Sequence, residues 1–348
     1  MNADRASTRP IPTAPDGANT QAAPARLPTQ GMPLLQWLPG ETLYSWIARQ
    51  HTLWGHRLPA QTAKALFGHD RRGYQHDFPG HLAELVVRTD GQVGDVRSIG
   101  LDRTLLRFYR PFLSEASELA YAAAMGGATV AHVRRRLTWA RRGGLQVHHP
   151  LKACATCIQE DREVSGWAYW HMDHQYPGVW ICPVHSQPLQ VTSSRSNRYD
   201  RVEWNVPDVE SLEPAPLADV GVRELESCSR IAWLICDVVG GMPLSRVAPA
   251  ELNVFYRAAL YEQGFVAAAG PDSRVIAAQE LVRHLRPLRA LPELRGLTSN
   301  VEQMNIQLAR LLAPTGQESH PMMHFVMMDW LRAARAGTKL LRRVGWGA

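Results

Sequence analysis

The stretch Cys154-Ala155-Thr156-Cys157, followed after residues 158–181 by Cys182-Pro183-Val184-His185, decides how the chain is read. A short turn can present two ligand-type side chains, separated by two residues, to one metal ion, and two such turns complete a tetrahedron. Thiolates with an imidazole favour zinc over calcium or magnesium, and four protein ligands leave no position for water. Cys154, Cys157, Cys182 and His185 are therefore expected to hold a structural zinc ion, a scaffold and not a hydrolytic centre. The competing reading of the first pair is a thioredoxin-like redox motif, which needs a strand before it and a helix starting at it; Pro150 precedes the pair here, and the second pair ends in His. His148, His149, His171 and His174 admit a different fourth ligand. The spacing of His185 from Cys182 repeats that of the first pair and favours His185.

Outside this stretch the composition is that of a soluble globular chain: 348 residues, 45% hydrophobic and 20% charged, enough for two or three domains. No run approaches the ~18 to 20 apolar residues of a membrane helix, and no apolar secretory segment opens the chain, so a cytoplasmic location is expected. Five cysteines, an odd number, argue against a disulfide framework. Cys228 and Cys236 fall in an apolar helical pattern as core residues.

The net charge is +6, unevenly placed. Arg134, Arg135, Arg136, Arg141, Arg142 and Lys152 follow one another without an acid, and Arg332, Arg335, Lys339, Arg342 and Arg343 repeat the pattern near the C-terminus. Such clusters attract phosphate backbones or acidic partners, although a solvated helix face gives the same text. The five arginines 134, 135, 136, 141 and 142 are the candidate DNA contacts.

In chain order, residues 1–33 are rich in Pro, Ala, Thr and Gln and read as a disordered tail. Residues 34–146 form a helical domain, with helices at about 42–53, 59–67, 79–88, 101–109 and 115–142 by apolar periodicity. The first two are joined by a tight turn, with Pro59 at the start and Gly68 at the end of the second; a helix-turn-helix-like pair and a plain helical hairpin share that pattern. Residues 147–192 are the zinc-binding knuckle or ribbon, whose Trp167, Tyr169, Trp170, Tyr176 and Trp180 supply a small core, with short strands at 167–170 and 179–181. A stacking surface for bases is the other reading of these aromatics. Residues 193–220 read as a linker. Residues 221–348 read as a C-terminal helical bundle with helices at about 224–239, 250–261, 275–286, 301–312 and 321–336. Its second and third helices, with Gly264 between them, make a second helix-turn-helix candidate or a bundle corner. The fold class is thus mainly α.

Several separated pieces together resemble the TniQ family: Pro39-Gly40-Glu41 with Leu43, Ser45-Trp46 and Arg49; Leu66-Phe67-Gly68; Thr104-Leu105 with Tyr109 and Pro111; the two ligand pairs with Glu160-Asp161, Trp180 and Leu189; Tyr256-Arg257 with Leu260 and Gly264; and His320-Pro321 with His324. The resemblance covers about residues 34–336. The first pair departs from the usual Cys-Pro-x-Cys but keeps both ligands, and the short tail after His324 shows no added DNA-reading region of the longer TnsD relatives. The resemblance implies a non-catalytic adaptor of transposition. Such proteins recruit an AAA+ ATPase regulator, and through it a transposase, to a DNA target; some are held as a dimer by an RNA-guided CRISPR complex.

Two other classes compete with that reading. A zinc-dependent nuclease or hydrolase needs an open metal position and a general base, and neither stands near the ligands. A zinc-containing helix-turn-helix transcription regulator has a similar composition; transposase and ATPase genes beside this one, or a two-fold operator, separate the two. No phosphate-binding GxxxxGK[ST] loop and no GxSxG nucleophile turn occurs in the chain.

Overall fold

The first helix, α1 (Leu43–Leu53), starts at Thr42, whose hydroxyl accepts from Ser45 N and satisfies one of the amides that a helix leaves unpaired at its start. One face of α1 then does for an extended segment what a neighbouring strand would do. Trp46 Nε1 donates to Leu35 O, Arg49 Nη2 to Gln36 O, and Gln50 Nε2 and Trp54 Nε1 both to Pro33 O. These bonds pair carbonyls that the segment cannot pair for itself. Arg49 also grips Glu41 in a two-pronged ion pair, Nε to Oε1 at 2.7 Å and Nη2 to Oε2 at 2.6 Å, with both side chains buried.

In this computed structural model the described residues are 31–128, 130–137, 145, 150–192, 203–217, 220–241, 249–265, 271–313 and 319–333. They are mainly helical. After α1 come α2 (Pro59–Phe67), α3 (Leu82–Arg88), α4 (Val96–Asp102), α5 (Leu106–Tyr109), α6 (Glu115–Gly126) and α7 (Ala131–Leu137). The ends of α2 fall where Pro59 and Gly68 placed them. Gly68 takes φ 71°, the left-handed conformation that calls for glycine at a helix end.

Two expected helices are divided. The span 101–109 holds the end of α4 and then α5, because Thr104 turns the chain between them, donating to Gly100 O and accepting from Leu106 N. The helix expected over 115–142 stops at Gly126: Gly127 is extended and its carbonyl accepts from His81 N, so that α7 is a separate element. Residues 138–142 lie outside the described residues, as do 1–30 of the expected tail.

The central segment contains β1 (Lys152–Ala153), α8 (Ala155–Ser165), α9 (Met172–Gln175) and β2 (Gln190–Thr192); β3 (Leu212–Glu213) completes an antiparallel sheet in the order β1-β2-β3. The strands expected at 167–170 and 179–181 are not formed. Those residues instead give the single bridges Glu41↔His171 and Ile181↔Pro188, since the backbone around Trp170 bonds to the start of α1. Thr42 N donates to Trp170 O, Met172 N to Gly40 O, and Trp170 N to Ser45 Oγ. The stretch 203–217, read as connecting, supplies β3 and buries Trp204, whose indole donates to Pro59 O and stacks on Tyr74.

Five further helices follow: α10 (Val222–Gly240), α11 (Pro249–Glu262), α12 (Pro271–Leu288), α13 (Val301–Leu311) and α14 (Pro321–Ala333). The turn that ends α11 is formed at Gly264, which takes φ 74° while Phe265 N donates to Leu260 O; residues 266–270, the rest of the connection to α12, lie outside the described residues. One hydrophobic cluster runs from Leu43 on α1 to Leu331 on α14, and a smaller one (Leu151, Ala153, Ile158, Ala168, Trp170, Leu212) lies between the sheet and α8. Buried Asp329 ties three helices together, accepting from Arg230 at 2.6 Å and from His284 at 2.8 Å. No helix among the described residues is long and apolar enough to cross a membrane.

Two stability predictions follow from this packing. Glu41→Ala strands the buried Arg49 charge and is expected to cost about 3–5 kcal/mol, with Glu41→Leu/Arg49→Met together costing much less than either single change, measured by chemical denaturation. His320 is half-buried against Tyr109 and His324 is buried against Phe112 and Tyr256, and the loss of solvent holds their imidazoles down to about 3 and about 4. The unfolded chain takes up protons on both below about pH 6.5, where the folded chain refuses them. Stability should therefore fall as pH drops from about 6.5 towards about 4, and His320→Asn/His324→Gln should make that slope shallower in thermal melts across the pH range.

Candidate metal centre

The sheet brings the two ligand pairs together. β1 ends at Ala153 immediately before the first pair, β2 begins at Gln190 shortly after the second, and Ala153 stands opposite Gln190 in the ladder. The first pair then straddles the start of α8, with Cys154 in the capping position and Cys157 in the first turn. The second pair sits on a tight turn closed by Cys182 N donating to Gln187 O and Ser186 N donating to Cys182 O, with the His185 amide directed at Cys182 Sγ at 3.4 Å.

The four side chains converge, with all ligand atoms within 4.8 Å of one another, and could hold a metal ion. Cys157 Sγ and Cys182 Sγ are 3.8 Å apart, and His185 Nδ1 lies 3.6, 3.3 and 3.7 Å from the sulfurs of Cys154, Cys157 and Cys182. A tetrahedral zinc ion with bonds of about 2.3 Å to sulfur and about 2.0 Å to nitrogen requires edges of about 3.8 Å between sulfurs and about 3.5 Å between sulfur and nitrogen. The donor set fits that ion in both chemistry and size. Shared hydrogen bonds among the three thiols hold Cys154 far below its ordinary range and push Cys157 far above it, so the thiols alone do not ionise together. A cation at their centre removes the conflict, because coordinated thiols are deprotonated.

One argument against a redox pair does not hold. A strand does precede Cys154 and a helix does start after it, as in a thioredoxin-like motif. What sets this site apart is that Cys182 and His185 close over the same pair.

Among the neighbouring histidines, His171 is taken by Asp161, Nε2 to Oδ2 at 2.7 Å, and His174 reaches the sulfurs from a buried position; His148 and His149 lie outside the described residues. Glu160 and Asp161 thus face different rings, since Glu160 lies 3.2 Å from His185 Nε2. Of the aromatic set, Tyr169, Trp170, Tyr176 and Trp180 are buried as core, while Trp167 is half-buried with the Arg49 guanidinium 6.0 Å from its ring.

Lys152, grouped by sequence with the basic surface, is instead buried. Its Nζ donates to Tyr176 O at 2.8 Å and Val179 O at 2.6 Å and lies 4.7 Å from the centre of the Trp180 ring; burial pushes its pKa down to about 8. Charge alternation along the chain carries no sign of this, because the two carbonyls that receive the ammonium come from a different turn. Arg134 likewise faces inward to Asp77 at 2.6 Å, while Arg135 and Arg136 are exposed on α7. Arg141 and Arg142 lie outside the described residues, as do Arg335, Lys339, Arg342 and Arg343.

The arrangement defines a helical protein whose first helix is docked onto a closed Cys3His metal module. Residues 33–189, a little under half of the chain, match the family model TniQ, so that the chain carries a domain similar to that of a family of transposition-associated target-selection proteins. The match encloses both the Glu41–Arg49 turn and all four metal-site residues. The pieces of the resemblance around Tyr256 and His320 lie beyond it. No match is found among curated proteins.

Cys157→Ser is expected to lower the metal content of the purified protein and to loosen the central segment, because a structural ion contributes its binding energy to folding. Elemental analysis read together with proteolysis of residues 150–192 checks this. Retention of a full metal complement by a Cys154→Ser/Cys182→Ser double variant would overturn the assignment.

Proposed function

We propose that this protein is a transposition adaptor: it docks at a target DNA site and recruits an AAA+ ATPase regulator, which brings the transposase. The observation that carries the reading is that the family match encloses a closed four-ligand site, which serves as scaffold, with zinc as its ion. A complete protein ligand set has no position for substrate or activated water, so strand chemistry belongs to the transposase and not to this chain. Arg135 and Arg136 on α7 are the DNA-facing charges of this proposal. The α1–α2 pair is its helix-turn-helix-like unit.

The test combines the purified chain with DNA, with the ATPase, and with both. The chain alone, in magnesium or manganese, should leave DNA intact; with the ATPase and transposase added, insertion should be directed to the target. In the same assay Arg135→Gln/Arg136→Gln should weaken DNA binding alike for all sequences and reduce the salt slope by about 2, as expected for lost phosphate contacts. Reproducible cleavage by this chain alone, abolished by changing one acidic residue, would replace the adaptor with a nuclease.

A further inference from the structure

His174 lies on α9, whose neighbour Gln175 is bonded in both directions to the backbone of Lys152: Lys152 N donates to Gln175 Oε1 and Gln175 Nε2 donates to Lys152 O. The ring is therefore held in place. It is 2% exposed, with Nε2 3.6 Å from Cys182 Sγ and 3.8 Å from Cys157 Sγ, and its Nδ1 is buried without a hydrogen-bond partner among the described residues. Of the two neutral tautomers, the one protonated on Nε2 points its N–H at two sulfurs that are thiolates in a metal-loaded site. The other turns a lone pair towards them and buries an unsatisfied N–H, which is the costlier of the two orphans.

The centre needs such a donor. Three thiolates outweigh a divalent ion by one negative charge, and the site is sealed from water on the side of Cys157 and Cys182. On the other side His185 turns Nδ1 to the sulfurs and Nε2 to Glu160, the arrangement by which a carboxylate fixes a ligand imidazole. We propose that His174 is a positioning residue and not a ligand: it donates a shared N–H···S hydrogen bond to the Cys157 and Cys182 thiolates, lowers their reactivity and slows loss of the metal. The inference rests on the zinc reading of the site.

The test uses the zinc-loaded full chain as wild type, His174→Gln and His174→Met. Gln places an N–H donor at about the reach of Nε2, and Met fills a similar volume without one. Zinc transfer to a chelating dye and alkylation of the thiolates by iodoacetamide are timed, and the cobalt-substituted proteins are compared by absorption. The ligand-field bands should be the same in all three, wild type and His174→Gln should release zinc at similar rates, and His174→Met should release zinc and react at least about 10-fold faster. If His174→Met does not fold, His174→Asn, whose amide stops at the depth of Nδ1, takes its place with the same expectation. Equal rates in the donor and non-donor variants would overturn the proposal. So would altered cobalt bands, which would make His174 a ligand. A wild-type protein that takes up neither zinc nor cobalt would sink the zinc reading itself.

Discussion

A buried carboxylate sets the geometry on which the rest of the TniQ domain depends. Glu41 has no solvent to satisfy it, and an isolated carboxylate in that position would be prohibitively costly. Arg49 meets both oxygens from eight residues further along the chain, and Leu38 N donates to one of them as well, so the turn Pro39–Thr42 is pinned from both sides. That turn offers its backbone outward to Trp170 and Met172. The ion pair adds little net stability by itself, since desolvation offsets most of its attraction. Its effect is on register: it decides which carbonyl and which amide of the N-terminal turn meet the segment between the two ligand pairs.

The metal centre imposes the second constraint on the same segment. Two turns must arrive with donor atoms within a tetrahedron, and the strand pairing of Ala153 with Gln190 brings their roots together before any ion is bound. The Cys3His cluster, the short sheet and the α1 contact therefore act on one loop from three sides. None of the three is large. Strands of two and three residues are marginal alone, and the segment's own core is only the small cluster around Trp170, while Tyr176 and Trp180 join the main hydrophobic cluster.

What could be read from the sequence follows from the range of the forces involved. Pro59 and Gly68 act on their own backbone, so the ends of α2 were legible; the ligand spacing is dictated by a metal's geometry, so Cys154, Cys157, Cys182 and His185 were legible too. The strands were not, because alternation around Trp167–Trp170 describes burial on both sides equally well, and the backbone partner of Trp170 lies on α1, far back in the chain. Lys152 was misjudged for a related reason. Its neighbours in sequence suggest a basic surface, but Ala153 carries it into β1 and the carbonyls of Tyr176 and Val179 receive its ammonium. The family-model match ends at residue 189, before the chain becomes a set of amphipathic helices, whose pattern many folds share.

Those helices are nonetheless coupled to the metal module by a polar path. Lys152, one residue before the first ligand turn's root, holds its charge over the Trp180 ring, and Trp180 Nε1 donates to the buried Glu293 carboxylate at 2.8 Å. The Trp180 ring thus meets the cation on one hand and the carboxylate on the other, two residues before Cys182. Glu293 belongs to the turn after α12, beyond the family match. Removing the indole would leave the Glu293 carboxylate buried without that donor, a penalty felt among the C-terminal helices. The helices beyond the family match thus share buried polar contacts and a hydrophobic core with the segment that carries the ligand pairs.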